Sequence, residues 1–140
     1  MTVLTYDMGM ADVKAINGDT HLGGQDFTNR IVDRCVDFLK ENSGVDIRGD
    51  KKKLMGLIGE ADKAKRMLSA AISTEIYVPA LADDEDFDYS LSRVEFERLC
   101  APELNKIIPC IERALKDAGL RKEDMDSIVL AGGSCRIPKV

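Results

Sequence analysis

Several features that would assign a function at once are missing from this 140-residue sequence. No apolar run approaches the roughly 20 residues that a membrane-spanning helix needs. The opening residues after Met1, TVLTYD, contain no basic stretch typical of a signal peptide. Basic residues do not dominate either, because 20 lysines and arginines stand against 25 acids and give a net charge of −5. We therefore expect a cytoplasmic protein that binds neither membrane nor nucleic acid.

The cysteines form no metal-binding pattern. No two of the four cysteines form a C-x-x-C pair; they are Cys35, Cys100, Cys110 and Cys135. The single histidine, His21, is far from all of them in sequence. A zinc site needs ligands that cluster more closely than this. We predict no metal site and expect buried or half-buried thiols in a reducing compartment.

What the sequence does contain is typical of a globular α/β chain. Its residues are 44% hydrophobic and 32% charged, without an internal repeat or a low-complexity segment. Short β-rich runs at 2–7 and 11–17 predict two strands, the first of them buried. Helical periodicity predicts helices over 25–42, ended by Gly44, and over 50–71.

The second half predicts a hairpin, a bent helix and a last strand. STEIYVPAL and FDYSLS favour two strands, with the acidic stretch ADDEDFD (82–88) as an exposed loop between them. Ser92 and Glu95 form a capping box for a third helix, which runs to Gly119. Pro102 and Pro109 should bend or break that helix. The unbroken apolarity of SIVLAGG (127–133) predicts a strand that is buried on both faces.

A polar stripe on the second predicted helix is not explained by core packing. Asp62, Lys65, Arg66 and Ser69 follow the i, i+3, i+4, i+7 spacing of one helix face, beside the apolar face. One interpretation is a solvated face that carries an ion pair. Arg136, which follows the glycine turn Gly132-Gly133, favours another interpretation, a cleft that holds a flat aromatic ligand and a phosphate.

Three separated motifs resemble those of the 70-kilodalton heat-shock chaperones. They are GDTHLGGQDF, KAKRMLS and IVLAGGSCRIPK, in the same order as in the second lobe of that family's ATP-binding domain. The resemblance implies an α/β chain with a partial actin-like ATPase fold, a ribonuclease-H-like sheet remnant with an inserted α+β outer subdomain. Residues 25–119 would be the outer lobe-II subdomain, with three helices and a β-hairpin. Residues 1–24 and 120–140 would be remnants of the inner subdomain.

The resemblance also implies a nucleotide site. The family binds ATP or ADP with Mg²⁺. The positions that match its adenosine contacts are Asp62, Lys65 and Ser69 at ribose or base, and Arg66 and Arg136 beside adenine. Those that match its other contacts are Gly132, Gly133 and Ser134 near phosphate and ribose, Gly24 across the cleft, and Asp7 and Gly9 at phosphate or hydrated magnesium.

The chain departs from the family pattern in ways that bear on catalysis. Asp62 stands where the family has glutamate, and Gln25 and Cys135 replace an acid and a threonine. After Asp7 and Gly9, the rest of one phosphate loop and the strand that follows it have no counterpart. The first lobe, the C-terminal helical part of the inner subdomain and the substrate-binding domain have none either. We therefore predict no catalytic residue, weak or no nucleotide binding, and no ATP hydrolysis by this chain.

Three hypotheses follow for function. The first is a lobe-II fragment of an ATP-dependent chaperone of the stress response, which carries the adenosine-binding face and the subdomain that faces exchange factors. The second is a non-catalytic interaction module that binds nucleotide-exchange factors and co-chaperones without useful ATP affinity. The third is a decayed relative of the sugar-kinase and actin fold with its own ligand. Unfolded polypeptides would be bound only through domains that this sequence lacks.

Overall fold

A computed structural model describes residues 1–82 and 85–140 of the chain, and it is a mixed α/β fold, as predicted. The elements in chain order are β1 (Thr2–Asp7), β2 (Met10–Ile16), α1 (Gly24–Ser43), α2 (Lys51–Met67), β3 (Ser73–Ala82), β4 (Glu85–Ser92), α3 (Arg93–Leu99), α4 (Ala101–Leu104) and α5 (Ile107–Ala118), followed by 3₁₀ turns at Lys122–Asp124 and Gly133–Arg136. The strands form two separate antiparallel pairs, β1 with β2 and β3 with β4. Among the described residues, no helix is both long and apolar enough to cross a bilayer.

The main hydrophobic core lies in what we call the central module, formed by α1, α2, β3, β4 and α3. Helix α1 contributes Phe27, Ile31 and Cys35 at helical spacing, so that one face is buried along its length. Leu57 of α2 and Leu91 of β4 pack into the same cluster, and both are fully buried. Helices α1 and α2 thus pack against the β3–β4 pair and share one core with it.

The β1–β2 hairpin is attached to this module through α5. Helix α5 packs against both strands. Its Cys110 and Ala114 are buried together with Val3 of β1, and all three stand apart from the main core cluster. The prediction of a strand at β1 is therefore confirmed. The prediction that this strand is buried is wrong, because Val3 is its one buried residue.

The prediction of a final strand buried on both faces is wrong. Residues 125–131 have no regular secondary structure, and the side chains of Ile128, Val129 and Leu130 are exposed. A strand needs a partner for its backbone groups and cover for its side chains. Among the described residues β1 and β2 pair only with each other, and no strand pairs with residues 125–131.

Three predicted boundaries also differ from the structure. The third helix breaks as predicted, but at Cys100 and at Asn105-Lys106, a few residues before Pro102 and Pro109 rather than at them. Pro102 and Pro109 instead lie in the first turns of α4 and α5, where proline's missing N–H removes no helical hydrogen bond.

The other two differences are at α2 and at the hairpin loop. Helix α2 ends at Met67 rather than near residue 71. Most of the acidic segment predicted as a loop (82–88) belongs to strands, because β3 extends to Ala82 and β4 begins at Glu85. The rest of the predicted loop, residues 83–84, lies outside the described residues.

Candidate functional site

A cavity of about 730 Å³ lies between the polar face of α2, the start of α1 and the turn near the C-terminus. We call it the α2 cavity, and its lining residues are Gly24, Asp62, Lys65, Arg66, Ser69, Gly132, Gly133, Ser134, Arg136 and Ile137. Nine of the eleven positions singled out from the sequence therefore come together in one place. The volume falls in the range of about 300–1,000 Å³ that small-molecule sites occupy.

The wall formed by α2 is held to α1 by Lys65. Its ammonium group donates hydrogen bonds to the carbonyl oxygen of Gly24 at 2.8 Å, to Thr28 Oγ1 at 2.7 Å and to Asp62 Oδ1 at 2.7 Å. The Lys65 side chain is only 13% exposed. An ammonium buried to this degree needs such partners, because removing an unpaired charge from water is costly.

Thr28 belongs to this network, and sequence reasoning missed it. The residue is fully buried on α1, and its hydroxyl donates to the Gly24 carbonyl at 3.1 Å while accepting from Lys65. The available signal was a hydroxyl on an otherwise apolar stripe, beside Phe27 and one turn from Ile31. That signal does not reveal its partner, because the facing Lys65 lies 37 positions away in the chain.

Arg66 and Ser69 occupy the open side of the same α2 wall. The Arg66 guanidinium forms an ion pair with Asp62 Oδ2 at 2.6 Å, and its side chain is 77% exposed. Ser69 Oγ donates to the Arg66 carbonyl at 2.7 Å. The hydrogen bond from Lys65 lowers the pKa of the Asp62 carboxyl, against the opposing effect of its partial burial, and Arg66 lowers it further. Asp62 is thus held as a carboxylate between two cations.

The opposite wall is the turn from Gly132 to Ile137. Gly132 has φ +105°, a conformation that side-chain-bearing residues rarely adopt, and it starts the 3₁₀ turn Gly133–Arg136. A Cβ atom added at Gly24 would lie 3.5 Å from Lys65 Nζ and 3.7 Å from Ser134 Oγ, so the start of α1 is close to both walls. Ile137 joins the main core and adds an apolar patch to the cavity.

The charges of the lining are unbalanced. Lys65, Arg66 and Arg136 are three cations, and Asp62 is the one acid among the lining residues. A concave site with an excess of positive charge favours an anionic ligand, and a guanidinium also stacks well on an aromatic ring. These properties fit an aromatic ligand that carries a negative group.

Asp7 and Gly9, the two remaining predicted positions, do not line the α2 cavity. Asp7 ends β1 and pairs with Met10 in the ladder, and Gly9 lies in the tight turn between β1 and β2. Gly9 has φ +83° and Met8 has φ +46°, so two successive residues of this turn adopt left-handed conformations. The backbone conformation of this turn is the one that a two-residue connection between antiparallel strands requires.

Comparisons with known proteins agree with this architecture. The family model described as "Hsp70 protein" matches residues 1–140. The chain is 43% identical over 140 residues to "Heat shock cognate 70 kDa protein 3" of Dictyostelium discoideum, and the match covers all of this chain and 22% of that relative.

These matches place the mixed α/β fold in the class of actin-like nucleotide-binding domains. The chain corresponds to one part of such a domain. The chain belongs to the Hsp70 family of chaperones, and it spans about a fifth of the length of the curated relative that it matches.

Proposed function

We propose that the α2 cavity binds the adenosine part of ATP or ADP, and that this chain is a lobe-II piece of an Hsp70 nucleotide-binding domain. The observation that carries the proposal is the meeting of two distant segments. Arg66 of α2 and Arg136 of the C-terminal turn, 70 positions apart in sequence, line the same cavity. Guanidinium groups on two walls suit a flat purine ring between them.

The lining fits adenosine better than it fits the phosphates. Asp62 and Ser69 offer oxygen atoms to ribose hydroxyls or base nitrogens, and Ile137 offers an apolar contact. Gly132 and Gly133 leave room for close approach of a ligand to the backbone. Asp7 and Gly9, which the resemblance assigns to phosphate and magnesium, lie outside the cavity lining.

We accordingly propose that this chain alone does not hydrolyse ATP. Phosphoryl transfer depends on positioning and on charge stabilisation around the transferred group. The α2 cavity offers these contacts to the adenosine end, and an open, water-filled phosphate side weakens every electrostatic contact there. Single-turnover hydrolysis with the protein in excess over ATP should remain at background. A rate like that of an intact chaperone ATPase domain, abolished by Asp7→Ala, would contradict this.

Adenosine recognition is tested by titration with ADP and with adenosine, followed by NMR shifts or calorimetry. We expect weak binding that magnesium does not strengthen and that Arg66→Ala reduces several-fold. Arg98→Ala is the matched control, because Arg98 is as exposed as Arg66, also pairs with an acid on its own helix, and lies outside the cavity. The proposal would be contradicted if Arg66→Ala and Arg98→Ala weakened ADP binding equally, or if the wild-type chain did not bind ADP or adenosine.

A non-catalytic interaction module remains a second candidate. It is favoured by the position of the main core, which lies almost wholly within the central module and does not depend on a ligand in the cavity. Residues 25–119, as the outer subdomain, would then present a folded surface to exchange factors, and residues 1–24 and 120–140 would be remnants of the inner subdomain. Binding of a nucleotide-exchange factor without detectable ADP binding would support this second function over the first.

A further inference from the structure

The β1–β2 hairpin has one face that points away from α5. Side chains alternate between the two faces of a strand, and residues paired across an antiparallel ladder lie on the same face. On β1, Val3 is buried on the side where α5 packs, and Ala15 of β2 is its partner. The pairs on the other face, which we call the hairpin outer face, are Thr2–Ile16, Leu4–Val13 and Tyr6–Ala11.

The hairpin outer face is apolar and exposed to solvent. Leu4 and Val13 at its centre are 44% and 51% exposed, and Tyr6 and Ile16 are 73% and 72% exposed. None of its six side chains carries a charge. Adjoining apolar side chains on the open side of a sheet mark an interaction surface, and a two-stranded sheet gains stability only when another layer covers it.

The whole chain also exposes more surface than a folded monomer of its mass. Its accessible surface is 9368 Å², whereas about 7,200 Å² is expected for a monomer of 15.4 kDa. The excess of about 2,200 Å² is more than twice the roughly 800 Å² that each partner contributes to a standard protein–protein interface. One copy of the chain therefore exposes enough surface to form a dimer.

Charge determines where two copies of this chain can meet. The net charge of −5 makes two copies repel each other in most orientations. Contact through the hairpin outer face brings no like charges together, because the six side chains are uncharged. A two-fold arrangement also places the same apolar side chains on both sides of the interface. The face is therefore complementary to itself.

We propose that the hairpin outer face binds a second copy of this chain, with the two hairpins packed face to face about 10 Å apart as two layers of a small sandwich. Each hairpin then supplies the layer that the other lacks. Because a two-stranded face is small, the dissociation constant should be roughly 10–100 μM. The outer face contributes no residue to the lining of the α2 cavity, so the dimer does not depend on nucleotide binding.

Sedimentation velocity of the full chain, from about 5 to 500 μM, tests the proposal. Wild type should show a monomer–dimer equilibrium over this range. Val13→Lys should weaken the dimer at least about tenfold, because it places a charge in an apolar contact. Val94→Lys is the matched control, since Val94 is 79% exposed on α3 in the central module, and it should leave the equilibrium unchanged.

Amide hydrogen exchange of the wild-type chain gives a second readout that needs no variant. Exchange in β1 (Thr2–Asp7) and β2 (Met10–Ile16) should slow as the protein concentration rises, because dimers protect the hairpin. Exchange in α1 and β3 should not change with concentration. This comparison decides the question if Val13→Lys fails to form the hairpin.

Three results would overturn the inference. A monomer over the whole range, with hairpin exchange independent of concentration, would leave the outer face to a different partner. A dimer that Val13→Lys weakens no more than Val94→Lys does, or one without added protection of the hairpin, would place the contact elsewhere. Assemblies that keep growing with concentration would exclude a closed two-fold pair.

Discussion

The central module and the segments at the two ends of the chain both contain large apolar side chains, yet these side chains differ in burial. In the module, Phe27, Ile31 and Leu57 are almost completely inaccessible to solvent. In the end segments, Ile16 on β2 and Ile128 near the C-terminus are exposed to 72% and 83%. Apolar sequence alone therefore does not produce a core.

The difference comes from the number of neighbouring elements. The β3–β4 pair is covered by two helices, and its inward side chains at Ile76, Phe87 and Leu91 all reach one core. The β1–β2 pair packs against α5, and a two-stranded hairpin is marginal unless another layer packs on it. The central module should therefore be the stable unit, with the end segments opening before it.

The largest expected effect is on cysteine labelling. Cys35 and Cys100 are fully buried in the main core, and burial raises the pKa of each thiol to about 12, so few reactive thiolates exist at neutral pH. Cys110 lies on the buried face of α5, which packs against the β1–β2 hairpin, and Cys135 is half-buried in the C-terminal turn. A thiol reagent followed by site-resolved mass spectrometry should modify Cys135 first, then Cys110, and the two core thiols about a hundredfold or more slowly.

This labelling order can break the comparison in two ways. Modification of Cys35 as fast as Cys135 would mean that the central module is not a stable core. Protection of Cys110 equal to that of Cys35 would mean that α5 and the hairpin open only with the whole protein. Unfolding the chain in denaturant is the control, and it should bring all four thiols to similar rates.

The second prediction compares large-to-small substitutions in the two regions. Leu57→Ala removes a fully buried side chain and should lower the free energy of unfolding by about 2–5 kcal/mol, through lost burial and the cavity left behind. Ile128→Ala changes a side chain that is already in water and should change it by less than about 0.5 kcal/mol. Urea unfolding followed by circular dichroism measures both, and similar effects would contradict the proposed location of the core.

The same comparison explains how far sequence reasoning reached. The helical periodicity of α1 and α2 and the alternation in β3 depend on local spacing, and the left-handed glycines at Gly44 and Gly119 end helices as predicted. The i, i+3, i+4, i+7 stripe likewise brought Asp62 and Ser69 to one cavity wall. These features were predictable because residues close in sequence determine them.

What sequence reasoning missed depends on distant neighbours. Burial of residues 125–131 required a partner strand, and apolarity gave no information about whether one was present. The role of Thr28 depends on an ammonium 37 positions away, which no local pattern indicates.

The third prediction concerns an ion pair that joins α1 to α4, where the central module meets α5. Arg30 Nε and Nη2 both donate to Glu103 Oε1, at 3.0 and 2.8 Å. Glu103 is almost fully buried, and its Oε2 has no hydrogen-bond partner among the described residues. Removing the cation leaves a buried charge without compensation, whereas removing the acid leaves a cation that can turn to water.

Arg30→Met should therefore lower the free energy of unfolding by about 1–2 kcal/mol, a value reduced because the Arg30 side chain is 43% exposed. Glu103→Leu should cost less or even stabilise the protein, because it replaces a half-satisfied buried carboxylate with an apolar group. Denaturant unfolding of both variants at neutral pH tests the order. A greater loss of stability in Glu103→Leu than in Arg30→Met would show that the ion pair stabilises the fold by more than the free-energy cost of burying the Glu103 carboxylate.

The smallest expected effect is the pH dependence of two paired carboxylates, one in each region. In the central module, the hydrogen bond from Lys65 lowers the pKa of Asp62 from 3.8, and in the C-terminal segment the hydrogen bonds from Arg121 lower that of Asp124 from 3.8. A carboxyl with a depressed pKa in the folded state stabilises that state above its unfolded pKa. The contribution disappears as the pH falls through the folded-state value, because the unfolded chain then binds the proton more readily.

Asp62→Asn should therefore be less stable than wild type above about pH 5, by at most about 1 kcal/mol at a partly exposed pair. The difference should shrink as the pH falls below 3.8 and through the lower folded-state pKa of Asp62. Asp124→Asn should show a weaker pH dependence in global unfolding. Its partner Arg121 is three residues away, so that their contact forms locally and does not require the central core. Thermal or urea unfolding between pH 3 and pH 7 at low salt measures both, and 1 M salt should reduce both differences. A larger pH-dependent effect at Asp124 would mean that the C-terminal segment unfolds together with the central module, and the contrast between the two regions would no longer hold.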